Sequence, residues 1–167
     1  MAVASGADLA SERLLVSLDG AAIEAEELVD SHGTRLHRVE VGTGELEASY
    51  TATILGQTPE EELIPTDLIR YLRPSRYCES DSLAPTAAAE FQGLNVPARL
   101  VSVYAPGLAP MDFHAVAEAY VDGAWHVVDA TTLAPRSTMV RIATGRDASD
   151  TAFLTTQRGG VDFHSLE

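Results

Sequence analysis

The sequence predicts an α+β fold: a small antiparallel β lobe followed by a reduced second lobe of short helices and a sheet. Three observations predict it. Residues 46–54 alternate apolar (Leu46, Ala48, Tyr50, Ala52, Ile54) with polar (Glu47, Ser49, Thr51, Thr53), the period-2 signature of a strand with one wet face. Asp19-Gly20 follows an apolar run as a turn signal, and Asp122-Gly123 stands between two strand-like runs, the strongest short hairpin signal. Between the two strand-rich parts, residues 67–93 carry helix signals instead.

In the N-terminal part, Leu14, Val16 and Leu18 lead into Asp19-Gly20, His32-Gly33 marks a second turn, and Leu36–Val41 reads as a further strand. Gly42 and Gly44 precede the alternating run. The stretch GQTPEEELIPT, 56–66, is a polar connector, which places the lobes at 1–66 and 67–167. A short helix is expected over 67–72, stopping before Pro74, because the residue ahead of a proline is biased away from helical backbone. A second is expected from Ala84 to about Gln92, with Asp81 or Ser82 as cap, Pro85 in its first turn and Gly93 at its end. Strands follow at Arg99–Tyr104, Phe113–Val121 and Ala124–Ala130.

Composition narrows the function classes. The 167 residues are 46% hydrophobic, with no run long enough to span a membrane, and the opening MAVASGADLASE lacks the basic and apolar parts of a secretory signal. A cytoplasmic location is therefore expected. The net charge is −14 and every base is Arg. Such a surface repels phosphate backbones and anionic membranes, so neither nucleic acid nor membrane is an expected partner. The single cysteine, Cys78, excludes an internal disulfide and a cysteine zinc cluster. No glycine-rich phosphate loop is present, and His32 and His37 have no evident third ligand, so no cofactor or metal is expected. Asp147 and Asp150 read as solvated loop acids, and Trp125 and Phe113 as core.

The hairpin turn permits a geometric test. A two-residue turn at Asp122-Gly123 pairs Val121 with Ala124. Carried back along the strands, it sets Val116 opposite Asp129 and His114 opposite Thr131. His114 and Asp129 are then diagonal neighbours on one face, roughly 7–8 Å apart at Cα, within side-chain reach. His126 pairs with Ala119 and points to the other face. A carboxylate behind a histidine fixes its tautomer, and such a pair can activate a thiol. The alternative is a cross-strand pair that only satisfies two polar groups.

Two segments carry a family resemblance. Val96-Pro97-Ala98-Arg99, Tyr104-Ala105-Pro106-Gly107 and Pro110-Met111-Asp112-Phe113-His114-Ala115 resemble the approach to the catalytic His of bacterial transglutaminase-like proteins. Asp122 to Thr131 (DGAWHVVDAT) is similar to the segment bearing their catalytic Asp, and the similarity continues through Leu133–Arg136 and Arg141–Ala148. The resemblance implies a papain-like Cys-His-Asp arrangement in a reduced transglutaminase-like lobe, acting through a thioester on an amide of a peptide or protein. It assigns His114 and Asp129 as base and orienting group.

The chain departs from the family at the nucleophile. Members place it at the mouth of a buried helix, in a Gly-x-Cys-Arg-Asp-Phe-Ala-His-like sequence that is absent here. Cys78 is the candidate replacement. Glu79 and Asp81 disfavour its thiolate, while Arg73 and Arg76 offset them. Impaired chemistry is therefore expected; the alternative is a catalytically inactive remnant that binds a peptide or protein partner. A lost helical block would also leave apolar sheet surface uncovered, favouring self-association into a homo-oligomer or poor stability.

Overall fold

Asp19 and Gly20 have φ values of 49° and 78°, the paired positive angles that a tight two-residue hairpin turn demands. They join β1 (Asp8–Leu18) to β2 (Ala21–Ile23), with Leu18 opposite Ala21. The structure, a computed structural model, describes residues 1–56, 64–72, 83–108, 112–129, 132–162 and 164, with 83–85 described by their backbone. On the other side of β1 lies β5 (Leu46–Leu55), antiparallel from Leu18↔Leu46 to Asp8↔Leu55 with a register shift between Leu9 and Ser11. The expected alternation is present only in the second half of the strand, since Leu46 and Ala48 are exposed. Tyr50, Ala52 and Ile54 are half-buried while Thr51, Thr53 and Leu55 are exposed. A second hairpin, β3 (Glu26–Val29) and β4 (Arg35–Arg38), stands apart from this three-stranded sheet.

Helix α1 (Pro65–Tyr71) begins two residues earlier than expected, because Pro65 fits a first helical turn whose N–H groups need no internal partner. Helix α2 (Leu83–Gly93) closes on Gly93 as anticipated. Among the described residues no helix is long and apolar enough to cross a membrane.

The larger sheet holds four antiparallel strands in the order β8 (Ala124–Val128), β7 (Asp112–Val121), β6 (Ala98–Ala105), β9 (Val140–Gly145). The architecture is thus α+β, mostly antiparallel sheet with two helices. β9 was not among the expected strands. It pairs with β6 some forty positions upstream, with a register shift between Ser102 and Val103, and its own sequence alternates too weakly to announce a strand.

Side-chain alternation assigns the faces of this sheet. Ala98, Ala117 and Val128 lie on the face covered by Ala87, Ala88 and Phe91 of α2. Val101, Val103, Val116 and Val127 lie on the other, with Met139 packed against them. Val101 (1% exposed), Val103 (3%) and Val116 (1%) are buried. The expectation of an uncovered apolar sheet is therefore wrong at the centre of either face. Each such valine contributes about 1.5–3 kcal/mol of burial.

The N-terminal segment joins the parts of the molecule. The Ser5 N–H donates to Arg141 O of β9 at 2.9 Å, Ala2 N–H to Phe153 O at 2.8 Å, and Val3 N–H to Arg35 O at 3.3 Å. Thr34 Oγ1 accepts from the Thr144 N–H at 3.2 Å. The outer edge of β9 is thereby supplied with partners by residues far away in sequence.

Candidate active site

The β7–β8 hairpin turns where the sequence placed it. Asp122 and Gly123 have φ of 51° and 87°, and the strands pair from Val121↔Ala124 to Ala117↔Val128. Extending this register by one residue sets Asp129 opposite Val116. Asp129 Oδ1 lies 3.4 Å from His114 Nε2, the Asp129 side chain is 1% exposed and that of His114 is 11% exposed. The contact is at the long end for a hydrogen bond, as is common for acid–base pairs without a bound reactant.

The chemistry of the contact fixes the ring. An ionised carboxylate only accepts, so His114 must donate from Nε2, and the lone pair of the neutral ring then sits on Nδ1. Burial of Asp129 in a low-dielectric setting strengthens its hold on the ring. His126 lies on the opposite face, exposed, with Nε2 3.2 Å from Val121 O. Cys78 lies outside the described residues.

Next to the His–Asp pair on the same face is a buried ionic network that the sequence reading did not foresee. Arg99 (1% exposed) donates from Nε and Nη2 to Glu118 Oε2, each at 2.7 Å. Arg141 Nη2 donates to Glu118 Oε1 at 2.9 Å. The Arg99 guanidinium lies 4.1 Å from the Trp125 ring centroid and 5.7 Å from that of Tyr71. Tyr71 meets Trp125 edge-on at 5.4 Å. A signal for this network existed: Arg99 and Glu118 are charges at buried-face positions of otherwise apolar strands, where a charge survives only if it is paired.

The remaining sequence candidates are dispersed. His32 Nδ1 is 3.0 Å from the Tyr71 hydroxyl, and His37 Nε2 is 3.5 Å from Glu27 Oε2. The two rings serve different contacts, and among the described residues no cluster of three or more metal-ligating side chains occurs. Asp147 is not a solvated acid. It is 1% exposed, and its Oδ1 accepts from the backbone N–H groups of Ser149 (2.9 Å) and Asp150 (3.2 Å), so it shapes the turn after β9. Asp150 is partly exposed and accepts from Arg146 Nε at 2.9 Å. Phe113 stacks on Phe153 with centroids 4.1 Å apart and meets Tyr104 at a tilt at 5.0 Å, which fits its reading as core.

Residues 52–130, from within β5 to one residue past Asp129, match the family model of the transglutaminase-like superfamily. Over this stretch the chain is similar to the transglutaminase-like superfamily. The matched stretch contains both His114 and Asp129. A solved structure of a Cytophaga hutchinsonii protein, proposed to be a cysteine protease, is similar to this chain at 29% sequence identity and a TM-score of 0.68. The similarity covers 91% of the present chain and 76% of that one. No curated protein matches the chain.

Proposed function

We propose that His114 and Asp129 form the acid–base half of a cysteine-dependent site for amide or acyl carbons of a peptide or protein, with Cys78 as its thiol, and that turnover at this site is impaired. The observation that carries the reading is the 3.4 Å approach of Asp129 Oδ1 to His114 Nε2, made by a carboxylate that is almost completely buried. His114 Nδ1 would take the thiol proton. The sulfur would add to the carbonyl, and the imidazolium would return the proton to the departing amine, leaving a thioester for water or an amine to resolve.

Cys78 is proposed as the thiol because it is the single cysteine of the sequence. The impairment rests on three further points. Glu79 and Asp81 flank the thiol with negative charge. Helix α2, which leads into β6, opens on Leu83-Ala84-Pro85 and has no cysteine to offer at its N-terminus. That helix also packs on the face opposite His114.

The same α2 observation favours a second reading, a binding module that keeps the family fold without its turnover. Iodoacetamide labelling of Cys78 across pH separates the two. The site reading expects labelling that the His114 imidazole accelerates, with the acceleration lost in His114→Ala. Ordinary thiol behaviour that ignores the substitution selects the binding module.

A further inference from the structure

The two edges of the four-stranded sheet are built differently. At β9 the outer edge is covered: the Ser5 N–H donates to Arg141 O at 2.9 Å, and the Thr144 N–H to Thr34 Oγ1 at 3.2 Å. At β8 it is open. The tight turn at Asp122-Gly123 makes Val121↔Ala124 a hydrogen-bonded pair, so Ala124, His126 and Val128 direct their backbone groups at β7. Trp125 and Val127 then direct theirs outward. The opposite strand fixes the same phase: Tyr120, the partner of Trp125, turns its N–H away from β8 and donates to Pro97 O at 2.8 Å. Among the described residues nothing bonds to the outward N–H or C=O of Trp125 or Val127.

An open edge of this kind is a template for another strand, and native sheets blunt such edges with lysine, proline, inward charge or a bulge. β8 has none of these. It reads Ala-Trp-His-Val-Val and pairs with β7 without a register shift. It is also the edge that leads to the candidate site. Asp129 follows Val127 by two residues, roughly 7 Å along the strand, and the side chains of Trp125 and Val127 share a sheet face with His114. We propose that the outer edge of β8 docks an extended cationic peptide, which adds to the sheet as a fifth strand and runs past the His114–Asp129 pair.

The proposal rests on the reading of that pair as a site for peptides and adds how the peptide is held. Main-chain bonds to Trp125 and Val127 carry the affinity and tolerate many sequences. Peptide residues opposite Trp125 and Val127 set their side chains on the His114 face, where two apolar neighbours favour apolar groups. Charge selects the occupant. The chain carries −14, and exposed Asp122 stands at the turn end of β8. A second copy would bring 14 further negative charges to this edge, whereas a peptide with basic ends is attracted to it.

The test reads backbone amides and not the thiol. The probe is a capped seven-residue peptide, RVTAVTR, added to the full chain at about 1 mM, with EVTAVTE as its anionic match. Trp125 is the single tryptophan, so its fluorescence follows binding. Amide exchange measured by NMR should slow about tenfold at Trp125 and Val127 and change little at Ala124, His126 and Val128, which already bond β7. Val127→Pro removes one outward N–H and no ladder bond, and should weaken binding about tenfold, while Val127→Thr should bind as the parent does. No slowing, or slowing without the alternation, overturns the proposal; so does equal binding of EVTAVTE. Protection at Trp125 and Val127 that rises with protein concentration in the absence of peptide would make a second copy the occupant and overturn it too. If Val127→Pro does not fold, the exchange pattern of the parent chain decides alone. An unreactive Cys78 with the alternating pattern intact would sink the catalytic reading and leave the docking edge standing; a reactive Cys78 without the pattern would do the reverse.

Discussion

Asp129 lies one residue past the end of β8, yet its carboxylate is 1% exposed and meets His114 Nε2 at 3.4 Å. A buried acid at a strand terminus holds a defined position only if its partner is fixed, which makes the pair sensitive to changes that preserve shape and alter charge.

Asp129→Asn tests that sensitivity. Asparagine keeps the volume but presents an N–H as readily as an oxygen, so the ring can turn to the tautomer with its lone pair on Nε2. The expected result is loss of any His114-dependent acceleration of Cys78 alkylation, with a stability change of only about 1–3 kcal/mol. Unchanged alkylation kinetics in a folded Asp129→Asn protein would count against a working pair.

Glu118→Leu leaves Arg99 and Arg141 facing each other without the carboxylate between them. Removing one member of a buried ion network costs about 3–5 kcal/mol, which for a chain of this size lowers Tm by roughly 10 °C. Thermal unfolding followed by circular dichroism measures it. A shift within a degree or two would mean that the network is solvated and contributes little.

Stability should fall on mild acidification. Burial holds the His37 imidazole below its ordinary 6.5, with Glu27 opposing in part, and its buried Nδ1 has no hydrogen-bond partner among the described residues. The folded protein therefore binds this proton less tightly than the unfolded chain. The stability from neutral His37 is complete above 6.5 and is lost as pH falls through that value toward the lower folded one. Two carboxylates extend the loss further down. The Arg35 hydrogen bond holds Glu12 below 4.5. Asp150 is pushed up by burial but held below 3.8 by Arg146. Urea midpoints at about pH 7.5 and about pH 5.5 should differ, and His37→Gln should narrow the gap. An equal gap in the variant would assign the effect to other groups.

Gly145→Ala should be costly. A Cβ there would come within 2.2 Å of Asp150 Cβ and 3.2 Å of its backbone. The turn built on Asp147 would have to shift, at about 1–3 kcal/mol. Gly160, with open space around it, is the matched control. Equal midpoints in the two alanine variants would show that the turn yields freely.

The turn at Asp19-Gly20, the hairpin at Asp122-Gly123, the alternation of the second half of β5, and through the Asp122-Gly123 turn the shared face of His114 and Asp129 were legible in the sequence. These are local facts. A two-residue turn with positive φ at both positions leaves one register, and strand periodicity then dictates every face. Only the tertiary structure decided the rest. Strand β9 exists because β6 and the N-terminal segment offer it partners on its two edges. Asp147 is buried because a turn closes around its carboxylate. Arg99 and Glu118 can occupy the interior because each neutralises the other from a different strand. Charges and weakly alternating segments acquire their state from partners brought near by folding, and no local pattern announces a partner nineteen or forty residues away.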